Sequence, residues 1–391
     1  MQTRVFNYID LLPKEILTEH ILIRLPVKYL GQCKCVSKPW NSLISDPYFV
    51  KTHLITTRTC NDDSDNNPKI ILIPKRYPGF DVCVLYSYSL DNNGMRIGSR
   101  LKFDCANRWS RVWGSCDGFV LAQNGTWTSM YLLNPKTLES KQLPVLPSLR
   151  SKDIKNGCMF GFGYDSGSDD YAVVAISYRR FSSSIKVARV YVYMLRKGYW
   201  DKVGLSPYDY TCCAPGGVGI FVGGCLHWLA KNVNDSSWLI SAFSLATKEF
   251  SQVPLPYVLG SSRLRPSSLG VTKGCLCLIN WVHLFRISEV WVMTDYGVVD
   301  SWVKFSMDIY KVYPPLPLHL QQRNLVEMDC GRSCVVVVTD EEEAKSDNCD
   351  KVIISQSRLE PGMTYVESLV SSKNEDAQQK EKRGRRSKAI K

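Results

Sequence analysis

Several cysteines and one histidine lie close enough in the sequence to suggest metal chemistry. His227 follows Cys225 by two positions, and the close cysteine pairs are Cys33 with Cys35, Cys212 with Cys213, Cys275 with Cys277, and Cys330 with Cys334. A zinc site usually takes four closely spaced Cys or His ligands, and none of these pairs has partner histidines or a second CxxC module. We therefore predict neither a metal nor a cofactor, and interpret these cysteines as small core hydrophobes in a reducing compartment.

Acidic pairs could supply general acid and base catalysis. Asp169 and Asp170 form one cluster and residues 340–343 (DEEE) form another. Catalysis by paired carboxylates needs a cleft and a positioned proton donor, so we interpret both clusters as solvated loops. The sequence contains no nucleophile elbow, phosphate-binding glycine loop or metalloprotease helix. We predict no catalytic residue and a protein that is not an enzyme.

The composition predicts a folded chain of more than one unit. Of 391 residues, 45% are hydrophobic and 22% charged, and the ten Trp and twenty Tyr favour β-structure. No signal peptide or membrane-spanning run is evident, which predicts a protein of the cytoplasm, the nucleus or both, with no membrane partner. Half of the +12 net charge lies in the last dozen residues. That tail is a candidate nuclear signal, an anion-binding arm or a solubilising terminus.

The first fifty residues carry apolar residues at helical spacing. Pro13 suits the first turn of one helix, and Pro26 ends it. A second helix should end near Cys35, and Ser37 should cap a third. We interpret the Asp46-Pro47 pair as the exit from this helical region, followed by a linker over residues 51–69. Three short helices bury little surface, so we expect their apolar faces to be completed by a partner protein.

Residues 70–370 predict a β-rich body built from repeated hairpins. A strand, a polar turn and a returning strand recur at residues 131–143, 190–203, 240–253 and 290–305. Glycine precedes an apolar strand at residues 114–121, 222–229 and 272–279. The spacing of roughly fifty residues is typical of propeller blades, and a β-sandwich remains the alternative. The final strand is expected at residues 363–370, before a disordered basic tail over residues 371–391.

The N-terminal motifs resemble the F-box of plant proteins. The matching blocks are LPKEIL at residues 12–17, ILIRLPVK at 21–28 and CVSKPWNSLISDP at 35–47. The resemblance implies an F-box over residues 8–50 that binds a Skp-type linker protein and, through it, a cullin. It also implies a linker-binding surface formed by Leu12, Pro13, Ile16, Leu17, Leu25, Pro26, Val36, Trp40 and Leu43. Gly31 and Cys33 stand where the family usually has larger side chains, which predicts weaker binding.

The body resembles the F-box-associated domain of the same family, which is kelch-like. The matching blocks are GSCDG at residues 114–118, LNPKT at 133–137, FGFGYD at 160–165, GCLHW at 224–228, AFSL at 242–245, WVMTDYG at 291–297 and YVESL at 365–369. The implied fold is α+β, with a three-helix F-box before a mostly antiparallel, propeller-like domain. The implied function is recruitment of an unidentified target protein to a Skp-cullin-F-box ubiquitin ligase.

Two other functions compete with that prediction. The first is a stand-alone propeller-type module that binds protein or carbohydrate without ligase association, or a propeller-type enzyme. An enzyme or carbohydrate-binding module predicts a loop-lined pocket with convergent acids or histidines, and the five histidines are scattered. A nucleic-acid binder would depend on the basic tail, because the rest of the chain is only mildly basic. We therefore do not expect a nucleic-acid partner.

Overall fold

The computed structural model of the chain describes most of the body and the N-terminal helices. The described residues are 13, 15–59, 69–74, 84–91, 94–104, 109–125, 129–149, 156–179, 188–210, 217–257, 266–272, 274–282, 287–308, 319–320, 325–328, 335–338 and 359–372. The acidic run at residues 340–343 and the basic tail beyond Ser372 lie outside them. None of the described helices is long and apolar enough to cross a bilayer.

The N-terminal residues 15–59 form a helical segment that we call the helical hook. It begins with a π-helical turn and a 3-10 turn and continues as three α-helices. The elements are the π-turn Ile16–Ile21, the 3-10 turn Leu22–Arg24, α1 Val27–Cys33, α2 Lys38–Ile44 and α3 Pro47–Thr59. Leu25 and Pro26 separate the first turns from α1, because both adopt extended backbone conformations. The predicted break at Pro26 is thus confirmed.

The start of α2 follows the predicted capping chemistry. Ser37 has extended backbone angles, and its hydroxyl accepts a hydrogen bond from the Trp40 N–H at 3.3 Å. Pro39 lies in the first turn, where its missing N–H has no intrahelical partner to lose. The cap therefore sets where α2 begins.

The interpretation of Asp46-Pro47 as the exit from the helices was wrong. Pro47 is the first residue of α3, which continues for thirteen residues. Asp46 precedes it, and its carboxylate accepts the N–H groups of Tyr48 at 2.9 Å and Phe49 at 3.3 Å. An acidic cap followed by proline is a helix start as well as a turn signal. Residues 51–59 of the predicted linker are consequently helical.

The body contains short strands joined by tight turns. In chain order they are β1 Lys69–Pro74, β2 Val84–Asp91, β3 Gly94–Lys102, β4 Trp109–Cys116, β5 Phe119–Asn124, β6 Met130–Asn134, β7 Glu139–Gln142, β8 Asn156–Asp165, β9 Asp170–Arg179, β10 Ala188–Met194, β11 Trp200–Ser206, β12 Tyr208–Asp209, β13 Val218–Val222, β14 Cys225–Asn232, β15 Trp238–Ser244, β16 Phe250–Val253, β17 Pro266–Thr272, β18 Cys275–Val282, β19 Ile287–Met293, β20 Trp302–Asp308, β21 His319–Leu320, β22 Leu325–Met328, β23 Val335–Val338 and β24 Leu359–Tyr365.

Four consecutive antiparallel strands recur as one unit, as the sequence repeats predicted. We number these units blade 2 (β4–β7), blade 3 (β8–β11), blade 4 (β13–β16) and blade 5 (β17–β20). The first strands of blades 3 and 4 pair in parallel, with Val218 opposite Phe160, so the two blades share one larger sheet. Parallel first strands give adjacent blades the same orientation, which is the arrangement of a propeller-like domain.

Blade 1 is completed by the other end of the chain. Its strand order is β24-β1-β2-β3, and Lys69 of β1 pairs with Tyr365 of β24. The predicted final strand was displaced, because β24 ends at Tyr365 and residues 366–372 leave the sheet. We call residues 366–372 the closing segment. Because β1 and β24 pair, neither the first nor the last strand of the body exposes this edge to solvent.

Asn134 fastens the closing segment to blade 2. Its side-chain nitrogen donates to the carbonyl oxygens of Ser368 at 3.2 Å and Val370 at 2.7 Å. Its side-chain oxygen accepts the N–H groups of Lys136 at 2.8 Å and Thr137 at 3.2 Å, which fixes the β6–β7 turn. This explains the asparagine of the LNPKT block, since one buried amide satisfies both the turn and the closing segment.

A glycine and a carboxylate complete this junction. The Ser368 hydroxyl donates to the Asp117 carbonyl at 2.5 Å, and Gly118 has a φ of +82° at a position where a Cβ would collide with Ser368. Glu367 contacts Lys69 at 2.5 Å and Lys136 at 3.2 Å. Burial alone would raise the pKa of Glu367, but the two lysines outweigh it and lower that pKa. The carboxylate therefore links β1 to blade 2.

Replacing Asn134 with Ala should lower the free energy of unfolding by about 2–4 kcal/mol, because buried carbonyl groups of the closing segment lose their donor. Chemical denaturation of the full chain measures this loss. Asn232→Ala is the matched control, because Asn232 accepts the Asn234 N–H at 2.9 Å in a similar but exposed turn. Equal losses in the two variants would contradict the proposed role of Asn134 in chain closure.

Candidate partner-docking site

One side of the helical hook is buried in the body. Its apolar side chains join a single hydrophobic core with side chains of blades 2 and 3, including Trp113, Phe119, Phe160 and Phe162. The buried members from the hook are Leu22, Ile23, Val27, Leu30, Ile44, Phe49 and Val50. The expectation that a partner must complete the hook's core is thus wrong for this side, because the body completes it.

The other side of the helical hook exposes apolar side chains. Ile16 is 43% exposed and Val36 is 63% exposed, although both are large aliphatic residues. The other exposed apolar residues of the hook are Ile21, Tyr29, Tyr48 and Ile55. A concentration of exposed apolar groups on one small element is typical of a docking surface for another protein.

The structure divides the nine predicted linker-binding residues between these two sides. Pro13, Ile16 and Val36 are exposed, whereas Leu12 lies outside the described residues. The half-buried remainder comprises Leu17, Leu25, Pro26, Trp40 and Leu43. All of these except Pro26 pack against the core shared with the body. Contact of the nine residues with a linker protein stays a prediction, and the geometry favours Ile16 and Val36 within the set.

Sequence reasoning missed two exposed residues of α3. Tyr48 and Ile55 are seven positions apart, which places them on one face of the helix, while Phe49 and Val50 are buried. The periodicity was present in the sequence, but it was hidden by interpreting Pro47 as the end of the helical region. These two residues extend the exposed apolar surface beyond the F-box-like motifs.

Asp169 joins the helical hook to the body through charge. Lys51 of α3 contacts its carboxylate at 2.7 Å, Arg196 contacts it at 3.3 Å, and Tyr164 donates a short hydrogen bond to it. Burial alone would raise the pKa of Asp169, but Lys51, Tyr164 and Arg196 outweigh it and lower that pKa to about 2. The Lys51 and Asp169 side chains are half exposed, so the pair contributes about 1 kcal/mol or less.

The interpretation of Asp169 and Asp170 as a solvated acidic loop was wrong. Asp170 is only 4% exposed, and its carboxylate accepts the N–H groups of Tyr171 at 2.7 Å and Arg196 at 3.0 Å. Asp170 therefore holds a turn of blade 3 in place and is withdrawn from water, whereas the half-exposed Asp169 is held by its basic partners. The backbone N–H of Arg196 that binds Asp170 lies 26 positions further along the chain, so local sequence patterns could not predict this contact.

Lys34 of the helical hook lies in the electric field of an acidic residue of the body. It follows α1, and burial lowers its pKa while the negative charge of Glu139 on β7 raises it. Glu139 lies at the β6–β7 turn of blade 2, whereas Asp169 lies at the β8–β9 turn of blade 3. The hook therefore spans the turns of two adjacent blades.

His227 serves the packing of blades 4 and 5. One ring nitrogen, Nδ1, lies 3.0 Å from the Ile220 carbonyl, and the other, Nε2, lies 2.6 Å from the Tyr296 hydroxyl. A carbonyl only accepts, so Nδ1 donates and Nε2 accepts from Tyr296. Both nitrogens are engaged, which supports the core interpretation over metal binding. Within the described residues, no group of three or more His, Cys, Asp or Glu could hold a metal ion.

The hook and the propeller-like body match two described domains. Residues 9–52 match the F-box domain, and residues 80–372 match the F-box associated beta propeller domain. An F-box helix bundle joined to a propeller-like domain thus defines the class of this protein. The chain belongs to the plant family of F-box proteins that carry this associated propeller domain.

Two proteins from Arabidopsis thaliana are similar to this chain in sequence. An F-box/kelch-repeat protein is 32% identical over 296 residues, covering 75% of this chain and 78% of that protein. The F-box protein CPR1 is 30% identical over 318 residues, covering 75% and 72%. Among solved structures, a chain from the nidogen/laminin complex aligns with a TM-score of 0.42 and 11% identity, covering 77% of this chain and 98% of that one.

Truncation of Leu30 and of Val36 should change stability by very different amounts, because Leu30 is buried and Val36 is exposed. Leu30 is 0% exposed, so Leu30→Ala should lower the free energy of unfolding by about 2–5 kcal/mol. Val36→Ala should change it by less than about 0.5 kcal/mol, because that side chain faces water. Denaturant titration of both variants checks this, and a large loss at Val36 would contradict the exposed surface.

His227 should make stability depend on pH. Burial lowers its pKa to about 4, opposed only partly by the hydrogen bond to Ile220, while the unfolded value is about 6.5. A depressed histidine pKa gives stability that is present above pH 6.5 and lost as pH falls through 4. The loss attributable to His227 should total roughly 3 kcal/mol.

Urea denaturation at several pH values from 4 to 7 measures this loss. His53 contributes in the same direction, since burial also lowers its pKa. His227→Gln should therefore show a shallower pH dependence, retaining the part that His53 supplies. An unchanged slope in that variant would refute the assignment.

Proposed function

We propose that this protein is the substrate-recognition subunit of a Skp-cullin-F-box ubiquitin ligase. In this proposal the exposed side of the helical hook binds a Skp-type linker protein, which connects it to a cullin. The propeller-like body binds the target protein that is to be ubiquitinated and then degraded. Membership of the F-box family supports the proposal, and so does the two-sided character of the hook.

The observation that carries the proposal is the exposure of apolar side chains on an element that is otherwise well buried. Leu30 and Ile44 of the hook are fully buried in the core shared with the body, which attaches the hook to the body. Ile16 and Val36 nevertheless face water. Both side chains are already about half covered, so full burial by a partner would gain roughly 1–2 kcal/mol for each.

The mechanism of such a subunit is positioning rather than chemistry on its own residues. A target bound to the body is held near the ubiquitin-loaded enzyme, so its lysines reach a high effective concentration there. Rigid attachment matters because a loosely held body would spread those lysines over a larger volume. The shared core and the Lys51–Asp169 contact supply that attachment.

A double replacement on the exposed surface tests the proposal. Ile16→Asp together with Val36→Asp should reduce co-purification of a Skp-type linker protein at least tenfold, because two charges would enter an apolar interface. The thermal unfolding temperature should stay within a few degrees of the original, since both positions face water.

The control variant is Leu205→Asp, which adds a charge at an exposed leucine of β11 in blade 3. This variant should retain the linker protein. Full retention by the Ile16/Val36 variant would instead favour a stand-alone binding module without ligase association.

A further inference from the structure

The turns of the propeller-like body define a common face. In each blade the turn between the first and second strands and the turn between the third and fourth lie at the same end, because antiparallel strands alternate in direction. Contacts between these turns run from blade to blade: Tyr171 donates to Asp117, Lys248 contacts Asp165, and Tyr296 bonds to His227. We call this side of the body the turn face. The helical hook contacts it at Asp169.

On blade 3 the acids of the turn face are neutralised by basic groups. Asp169 has Lys51 of the hook and Arg196 as partners. Asp165 has Lys248 at 3.3 Å, and Asp201 has Lys197 at 3.1 Å. Lys51 thus shows that this face already binds a basic side chain from elsewhere in the same chain.

On blades 4 and 5 the turn face carries acids without such partners. Glu249, Asp295 and Asp300 are exposed and form no ion pair with any described residue. Three apolar side chains lie in the same blade 5 region, namely Tyr296 (48% exposed), Val298 and Val303. We call these six residues the acidic patch. Its combination of exposed apolar groups and uncompensated charge suits a basic segment.

The described chain ends on the same face. Ser368 bonds to the Asp117 carbonyl in a turn of blade 2, and the last described residue, Ser372, follows four positions later. Residues 373–391 contain eight Lys or Arg and three Asp or Glu, a net charge of +5. Nineteen extended residues reach roughly 60 Å. A domain of about 290 residues is roughly 50 Å across, so every point of the turn face is within reach.

We propose that the basic tail, residues 373–391, docks on the acidic patch of its own chain. Three observations favour the tail as the occupant. Its charge is opposite to that of the patch, it begins close to blade 2, and it is long enough to reach the patch. The tail then covers part of the turn face on blades 4 and 5 and competes with any other basic protein for it. This proposal does not depend on ligase association.

Tethering makes even a weak contact sufficient. A short flexible connection gives an effective concentration of about 1 mM, so the docked form dominates whenever the separate peptide binds with a Kd well below that value. The interaction between exposed charges should weaken strongly with salt, because the screening length falls to about 3 Å at 1 M. Salt dependence therefore separates this docking from purely apolar contact.

Carbodiimide cross-linking of the full chain, followed by peptide mass spectrometry, tests the proposal. This reagent joins lysine amines directly to carboxylates in contact. At low salt we expect cross-links from Lys380, Lys382, Lys388 or Lys391 to Glu249, Asp295 or Asp300. They should fall at least fivefold in 0.5 M NaCl. Cross-links distributed equally to Asp104 and Asp235, which are exposed near the opposite ends of strands, would overturn it.

A triple variant and a mixing experiment complete the test. Glu249→Gln with Asp295→Asn and Asp300→Asn should reduce binding of a synthetic 373–391 peptide to the chain truncated after Ser372 at least fivefold. Asp235→Asn is the matched control and should leave that binding unchanged. Equal peptide binding by the triple variant would overturn the proposal. Cross-links formed mainly between isotope-labelled and unlabelled copies would do the same, since they would show docking between two molecules.

Discussion

The pairing of the two ends of the body is the constraint on which the rest of the structure depends. β24 supplies a strand to a blade whose other three strands come from the beginning of the body, about 270 residues earlier. Closing so long a loop costs conformational entropy, although the cost grows only slowly with loop length. The closing segment offsets that cost with the buried hydrogen bonds of Asn134 and the two lysine contacts of Glu367. Blade 2 is thereby tied to blade 1, and the hook in turn packs against blades 2 and 3.

The helical hook has one side that packs against the body and one side that is exposed to water. Its helices are too short to be stable alone, and the body supplies the missing apolar partner. Ile16 and Val36 remain exposed because the body covers only one side of the hook. An element that connects two proteins needs both a covered side and an exposed side. The exposed side is free to bind a second protein, and the covered side fixes the element to the body.

Local patterns predicted much of this architecture, and long-range contacts explain most of the remainder. The cap at Ser37 and the hairpins of blades 2 to 5 depend on neighbours in sequence, so their residues carried the signal. Asp46 and Pro47 carried a signal with two meanings, because the same pair can end one helix or begin another. The burial of Asp170 and the partners of Asn134 could not be predicted, because the groups they bind lie 26 and more than 230 positions away. Among the residues predicted to bind a linker protein, the sequence could not separate the exposed Ile16 and Val36 from Leu17 and Leu43, which pack against the shared core.

The free-energy contributions of the individual contacts indicate which of them attach the hook to the body. The Lys51–Asp169 pair is half exposed and contributes about 1 kcal/mol or less, whereas each fully buried aliphatic side chain of the hook contributes roughly 1.5–3 kcal/mol. Apolar burial therefore provides the attachment, and the Lys51–Asp169 contact favours one orientation, because an apolar surface alone tolerates several similar packings. The hook should consequently keep its place on the body at high salt. An exposed contact between the acidic patch and a basic segment has no comparable apolar support, so salt should release it first.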